Sequence, residues 1–268
     1  MKKGIEKKIL AAALLCMLTL SGCGSRVGGE PDQAKSVVKI SEHEEGVSEP
    51  EAYYQENNYI RKQLNLEKAD LTHDGVEDYI VTAMYFTPGT EVTAENLDAA
   101  IQEQIWYVDV FVEVYDGSKI TGEEKVGEPI WIGGYSATHA GNGQINLVHR
   151  DGRDYLLESS LWTGQGMLGY TYEVFSLDGE GNKAVADDYN INFVMESGNP
   201  DRVLPEAEQK EQLTTFKNRI TFWFEGGLLL AATDVDLKRQ LITMGENRYV
   251  PEDFYDQKWA ERQIVDAE

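Results

Sequence analysis

From residue 53 onward the chain alternates apolar and polar side chains, broken at intervals by Asp-Gly and Gly-Asn pairs. Trp106, Val108, Val110, Val112 and Val114 place five apolar side chains on one face, with Asp109 and Glu113 on the other. That period of two predicts a strand buried on one side only. Residues 80–86, 128–135, 145–149, 155–159, 170–177 and 189–195 continue the pattern. Asp151-Gly152 predicts a two-residue hairpin turn, and residues 178–182 predict a longer one. Asp-Gly pairs beginning at residues 74, 116, 151 and 178 keep no fixed period. They are turns of one sheet, not blades or solenoid repeats.

A second periodicity interrupts the first. Thr93 can cap a helix from residue 94 to about 104, with Glu95 in its first turn. Over residues 205–224, Leu213, Phe216, Ile220, Trp223 and Phe224 share one helical face, while Glu206, Glu208, Glu211 and Lys217 lie elsewhere. Gly226-Gly227 ends that helix. Residues 228–232 read as a strand or a buried turn, and residues 251–262 as a short terminal helix with acids first and bases last. The predicted fold is α+β: one antiparallel sheet of roughly six to eight strands, with the long amphipathic helix packed across one face, in a single domain over residues 51–268.

The amino terminus follows a different logic. Lys2, Lys3, Lys7 and Lys8 precede an uncharged apolar run over residues 9–20. Twelve helical residues reach about 18 Å, short of the roughly 30 Å hydrocarbon core, so residues 1–22 read as a signal peptide and not a membrane span. Leu20-Ser21-Gly22-Cys23 stands at its end. This resembles the lipobox of bacterial lipoproteins, which implies cleavage before Cys23 and a diacylglyceryl group on its sulfur. The alternative is an ordinary secreted chain in which Cys23 is incidental. Two acyl chains anchor stably where one is marginal. The expected location is the cell membrane, lipid-anchored on the extracytoplasmic side. Residues 24–50 are rich in Gly, Ser, Glu and Pro and contain no aromatic residue, so residues 23–50 are expected to form a lipidated tether.

Composition narrows the function. The 268-residue chain carries a formal charge of −23. Removing residues 1–22 takes away four Lys and one Glu, leaving 20 basic against 46 acidic side chains. Such an excess argues against nucleic acid and against direct adhesion to anionic headgroups. Of the two cysteines, Cys16 leaves with the signal and Cys23 is blocked by lipid, so the mature body has no thiol chemistry and no disulfide.

One loop carries candidate chemistry. Asp70-Leu71-Thr72-His73-Asp74-Gly75-Val76-Glu77-Asp78 puts oxygen-bearing side chains at positions 1, 3, 5 and 9, a Gly at 6 and a free carbonyl at 7. It resembles the DxDxDGxxD calcium loops of extracellular bacterial proteins, a likeness that implies Asp70, Thr72, Asp74, Val76 and Asp78 as ligands. Thr72 stands where the pattern wants Asp or Asn, and position 12 is Val81 rather than a bidentate Glu. Three carboxylates would hold calcium only at about 0.1 to 1 mM. The other reading, favoured by these departures, is a metal-free turn in which Asp70 accepts backbone N–H bonds.

Elsewhere the chain has no Gly-x-Ser-x-Gly elbow, phosphate-binding Gly-Lys loop or dinucleotide Gly-x-Gly-x-x-Gly motif. Trp131, Tyr135, His139 and Trp162 gather near two small-residue loops, where aromatics beside acids could cradle a sugar; the commoner role of such residues is core packing. The segments DLTHDGVEDYIV, VEVYDG, ATHAG, DGRDYLLE and GYTYEVFSLDGEGN are similar to a group of uncharacterised lipoproteins of clostridia-like Firmicutes. That resemblance covers about half of the chain and implies a surface-exposed β-rich domain. The expected function is that of a non-enzymatic binding or accessory lipoprotein for a protein, peptide or glycan of the envelope. The rival is an envelope hydrolase acting on glycan or peptide through paired carboxylates.

Overall fold

In a computed structural model, the described residues are 38–40, 52–54, 59–86, 92–103, 108–122, 125–135, 141–164, 167–194 and 204–247. They fall in one compact unit, Gln33–Glu268. Cys23, His139, residues 1–22 and the predicted helix at 251–262 lie outside them.

The elements run β1 (Val38–Lys39), β2 (Ala52–Tyr54), β3 (Tyr59–Ala69), β4 (Asp78–Phe86), α1 (Leu97–Glu103), β5 (Val108–Tyr115), β6 (Val126–Gly127) and β7 (Trp131–Tyr135). They continue with β8 (Gly141–Arg150), β9 (Arg153–Gly164), β10 (Met167–Leu177), β11 (Lys183–Val194), α2 (Glu206–Phe224), β12 (Leu228–Ala232) and α3 (Val235–Asn247). The fold is β-rich α+β, but the single sheet of six to eight strands is corrected to two. Sheet 1 has the order β2-β3-β4-β5-β7 and sheet 2 the order β11-β10-β9-β8-β12, each five-stranded, with a separate β1-β6 pair. Period two says which residues share a face. It does not say where a chain leaves one sheet for another, and here that happens between β7 and β8.

The inner faces share one core. Ile80, Met84, Val110, Val112 and Val114 of sheet 1 meet Ile145, Leu156, Phe175, Leu177 and all of β12 from sheet 2. The outer face of sheet 2 carries Leu157, Tyr170, Tyr172, Val174, Ile191 and Phe193, clustered with Phe216, Ile220 and Phe224 of α2. Among the described residues no helix is long and apolar enough to cross a membrane.

The polar face of β5 is expected to meet water, and at Glu113 it does not. Glu113 is fully buried, among Ile40, Tyr79, Val81, Ala83, Tyr85 and Tyr115. A period-two pattern reads Glu as a solvent position, because a buried charge is tolerated only with a partner supplied by another strand. Here that partner is Arg61 of β3. Ile40 lies inside the stretch expected as tether, and Val38–Lys39 pairs with Val126–Gly127, so the folded body begins before residue 51.

Two further elements escaped the pattern. β3 is rich in Lys, Gln, Asn and Glu, and its ladder with β4 slips between Gln63 and Asn65, which breaks the alternation. α3 is capped by Asp234, whose side chain accepts the N–H groups of Asp236 and Leu237 at 2.9 and 3.0 Å. α1 starts later than expected, after a reciprocal cap: Thr93 Oγ1 accepts the Asn96 N–H at 3.4 Å while Asn96 Oδ1 accepts the Thr93 N–H at 2.7 Å. The Asp151-Gly152 hairpin forms with both residues left-handed, at φ 54° and 75°, the geometry a two-residue turn requires.

Candidate functional site

The Asp70 loop is a tightly bonded turn. Asp70 Oδ1 accepts the Asp74 N–H at 3.1 Å and Oδ2 the Gly75 N–H at 3.0 Å, while Asp74 Oδ1 accepts the Val76 N–H at 2.8 Å. Asp78 Oδ2 accepts the Thr72 N–H at 2.8 Å and Oδ1 the Gly117 N–H at 3.0 Å; the Thr72 hydroxyl lies 3.4 Å from Oδ1. Burial pushes the Asp78 carboxyl above its ordinary range, against these N–H bonds that favour the anion. Val76 is exposed. Among the described residues no group of three or more carboxylates, histidines or cysteines is gathered closely enough to hold a metal ion. A cation here would have to compete with N–H donors for the same oxygens.

The loop also fastens sheet 1 to sheet 2. The Asp70 N–H donates to Asp154 Oδ2 at 3.0 Å, His73 Nε2 lies 2.9 Å from the Asp154 carbonyl, and the Leu177 N–H donates to the Leu71 carbonyl at 3.0 Å. Asp154 also holds His149 Nδ1 at 2.7 Å from Oδ1. The His73, Tyr155, Trp223 and Phe222 rings then follow edge to face at 5.4 to 5.5 Å. These contacts give the Asp-rich loop a structural role whatever else it does.

Of the predicted aromatic residues, Trp131 packs on Phe175 with ring centres 5.5 Å apart, at the seam between the sheets. Trp162 lies across Gly169 on the neighbouring strand, where a Cβ would collide with the indole and come 2.7 Å from Asn192 Oδ1. Tyr135 of β7 pairs with Val110 of β5. Trp162 shares the inner face with Glu158 but stands four residues further, about 13 Å along the strand, so the two tryptophans occupy separate places.

What the seam gathers instead is a set of charges. Glu158 of β9 and Glu173 of β10 stand directly opposite each other, and Lys183 Nζ lies 2.6 Å from both. The same ammonium sits 3.9 Å from the Phe175 ring centre and 5.9 Å from that of Trp131. Burial raises the Glu158 carboxyl and Glu173 adds to the rise, with Lys183 opposing. Nothing in the sequence distinguishes these two acids from the rest; the register of β9 against β10 does.

Two other charged groups were equally hidden. On the outer face of sheet 1, Arg61 Nε donates to Glu113 Oε1 at 2.8 Å, a second N–H reaches Oε2, and Tyr115 OH donates to Oε2 at 2.6 Å with Tyr85 OH on Oε1. Burial works against both charges, yet their mutual attraction and these hydrogen bonds hold Glu113 below and Arg61 above their ordinary values. On the outer face of sheet 2, Asp187 accepts from Tyr172 OH and Trp223 Nε1, each at 2.7 Å, and from Arg219. Burial would raise Asp187, but the three donors outweigh it and keep the carboxyl low; Tyr172 is pushed up by burial and by that carboxylate. Both groups are internally satisfied and join strands or a helix to a strand.

Chemically, the seam sets two facing carboxylates, with Glu158 raised by burial, beside aromatic rings, an arrangement that suits glycan chemistry. The ammonium between them occupies the gap a scissile bond would need. The chain matches no protein-family model, and no curated protein or solved structure matches it.

Proposed function

We propose that this chain is a lipid-anchored extracytoplasmic lipoprotein whose β-rich body is a binding or accessory module. The anchor rests on Leu20-Ser21-Gly22-Cys23 directly behind a twelve-residue apolar run. Lys183 carries the non-enzymatic reading of the body: it bridges Glu158 and Glu173 at 2.6 Å each, so the paired acids serve as the walls of an ion-pair network. The partner is a protein, peptide or glycan of the envelope, reached on a tether from the membrane. Intact-mass measurement of the membrane fraction tests the anchor: a diacylglyceryl adduct on a chain beginning at Cys23 is expected, with Cys23→Ala released to the soluble fraction. An unmodified thiol at Cys23 overturns it.

A second reading, an envelope hydrolase with carboxylate catalysis, has one observation in its favour. Glu158 is held more protonated than an ordinary Glu, with Glu173 opposite and Trp131 near by. It requires Lys183 to leave the gap. Release of reducing ends from cell-wall glycan by the full chain, abolished in Glu158→Gln, would establish it; absence of release in both would discard it.

A further inference from the structure

Sheet 2 meets the shared core through Ile145, Leu156, Phe175 and Leu177 of its inner face. Past Glu158 and Glu173 the same face runs on outside that core, with Ser160 and Trp162 on β9 and Thr171, Gly169 and Met167 on β10. The bulge in β11 brings Asp188, Asn190 and Asn192 to this face, opposite Glu173, Thr171 and Gly169. These three are exposed, Met167 is 36% exposed, and Ser160, Trp162 and Thr171 are half-buried. β11 is the outermost strand, so the strip is open along that side. From Glu173 to Met167 it runs about 20 Å, and across its three strands about 10 Å. Two features organise it. The Trp162 indole rests on Gly169, whose missing side chain makes room for the ring. Asn192 Nδ2 donates to Asn190 Oδ1 at 3.0 Å, which leaves the Asn190 NH2 as donor and Asn192 Oδ1, beside the indole, as acceptor.

We propose that this strip is a docking surface for a neutral glycan carrying acetamido groups. The proposal rests on the binding-module reading above and names the ligand class. Trp162 and Met167 form an apolar end that suits the C–H face of a sugar ring and an acetyl methyl. The Asn190 NH2 and Asn192 Oδ1 match the C=O and N–H of an acetamido group, and the Ser160 and Thr171 hydroxyls stand between them and the seam to meet sugar hydroxyls. Charge narrows the class further. Glu158, Glu173 and Asp188 outnumber Lys183 at the other end of the strip, so an anionic polymer is repelled. An extended peptide would instead add to the backbone edge of β11 and leave Trp162, two strands inward, untouched.

The test uses the full chain in detergent micelles, isotopically labelled so that the indole N–H resonances of its five tryptophans are followed by NMR. The probes are the tetramer of N-acetylglucosamine and, as the charged control, a tetramer of galacturonic acid. A saturable shift of the Trp162 resonance with the first and none with the second is expected. Asn192→Ala should weaken the affinity about three- to tenfold through loss of one hydrogen bond, and Trp162→Ala should abolish it. No saturable shift at Trp162, equal binding of the uronate, or an affinity unchanged by Asn192→Ala overturns the proposal. So do shifts confined to the backbone amides of β11, which would mean strand pairing. Asn192 is exposed, so Asn192→Ala decides alone should Trp162→Ala not fold. Failure here with the diacylglyceryl adduct present on Cys23 removes the glycan strip and leaves the anchored-module reading standing; an unmodified Cys23 removes that reading by a separate measurement.

Discussion

Val185 and Asp187 stand two positions apart in β11 and face opposite sides of sheet 2. Val185 pairs with Phe175, an inner-face residue, and Asp187 with Val174, an outer-face one. In a regular strand residues two apart share a face, so Ala186 is the extra residue of a β-bulge. Before the bulge β11 delivers Lys183 to the seam with Glu158 and Glu173. After it, Asp187 turns to Tyr172, Trp223 and Arg219.

Asp187→Ala is expected to lower stability by about 1 to 2 kcal/mol, since it removes the half-buried carboxylate that accepts from Tyr172, Trp223 and Arg219. The pH dependence has a definite sign. Asp187 is held below its ordinary value, so the folded state binds fewer protons than the unfolded one. Its contribution is full above the unfolded value, about 4, and fades as pH falls through the lower folded value. Urea melts between neutral pH and pH 3 should show a shallower acid loss in Asp187→Asn than in the wild type; parallel curves would mean that the carboxylate is not protected.

The pair Arg61 and Glu113 makes a separable prediction. Glu113→Gln leaves a buried guanidinium without its counter-charge and should cost about 3 to 5 kcal/mol. Arg61→Met combined with Glu113→Gln removes both charges and leaves an amide whose oxygen accepts from one of Tyr85 and Tyr115 while its NH2 donates to the hydroxyl oxygen of the other. Denaturant melts should show that double replacement recovering a large part of the loss. Additive losses would show that the two charges are not coupled.

At the seam, Lys183→Met should leave Glu158 and Glu173 facing each other. The groups are partly exposed, so the expected loss at neutral pH is about 1 kcal/mol. Glu158 already sits above its ordinary value, so its share of stability is full below the unfolded value, about 4.5, and is lost as pH rises through the folded one. The penalty of Lys183→Met should therefore shrink on acidification, when the acids are protonated. A penalty that is constant from pH 7 to pH 4 would contradict the electrostatic account.

Gly181 is required by backbone geometry. It is left-handed at φ 85°, and a Cβ there would run into the Ile130 carbonyl, so the turn between β10 and β11 closes over the β6–β7 connection only with glycine. Gly181→Ala should lose more than the roughly 1 kcal/mol of backbone strain alone, because the carbonyl must also move. A thermal melt within a degree of the wild type would refute this.

The Asp70 loop is predicted to hold its shape without calcium, because both carboxylate oxygens of Asp70 already accept loop N–H groups. Melting temperatures in millimolar calcium and in chelator should coincide. A stabilisation above about 1 kcal/mol that disappears in Asp74→Ala would assign Asp70, Thr72, Asp74, Val76 and Asp78 to a metal after all.

Local order was legible in the residues themselves. Alternation located most strands, Asp151-Gly152 its hairpin, Thr93 a cap, and the stripe from Leu213 to Phe224 a helix, because side-chain period and turn conformation are properties of a few consecutive residues. The charge excess and the apolar run before Cys23 are likewise linear features. Which sheet each strand joins, that Glu113 is buried because β3 offers Arg61, that Glu158 meets Glu173 through Lys183, and that one extra residue turns Asp187 toward α2 were decided only in three dimensions. Each depends on register between strands distant in sequence, and the free energy of bringing a charge or an amide out of water is set by the neighbour that register supplies.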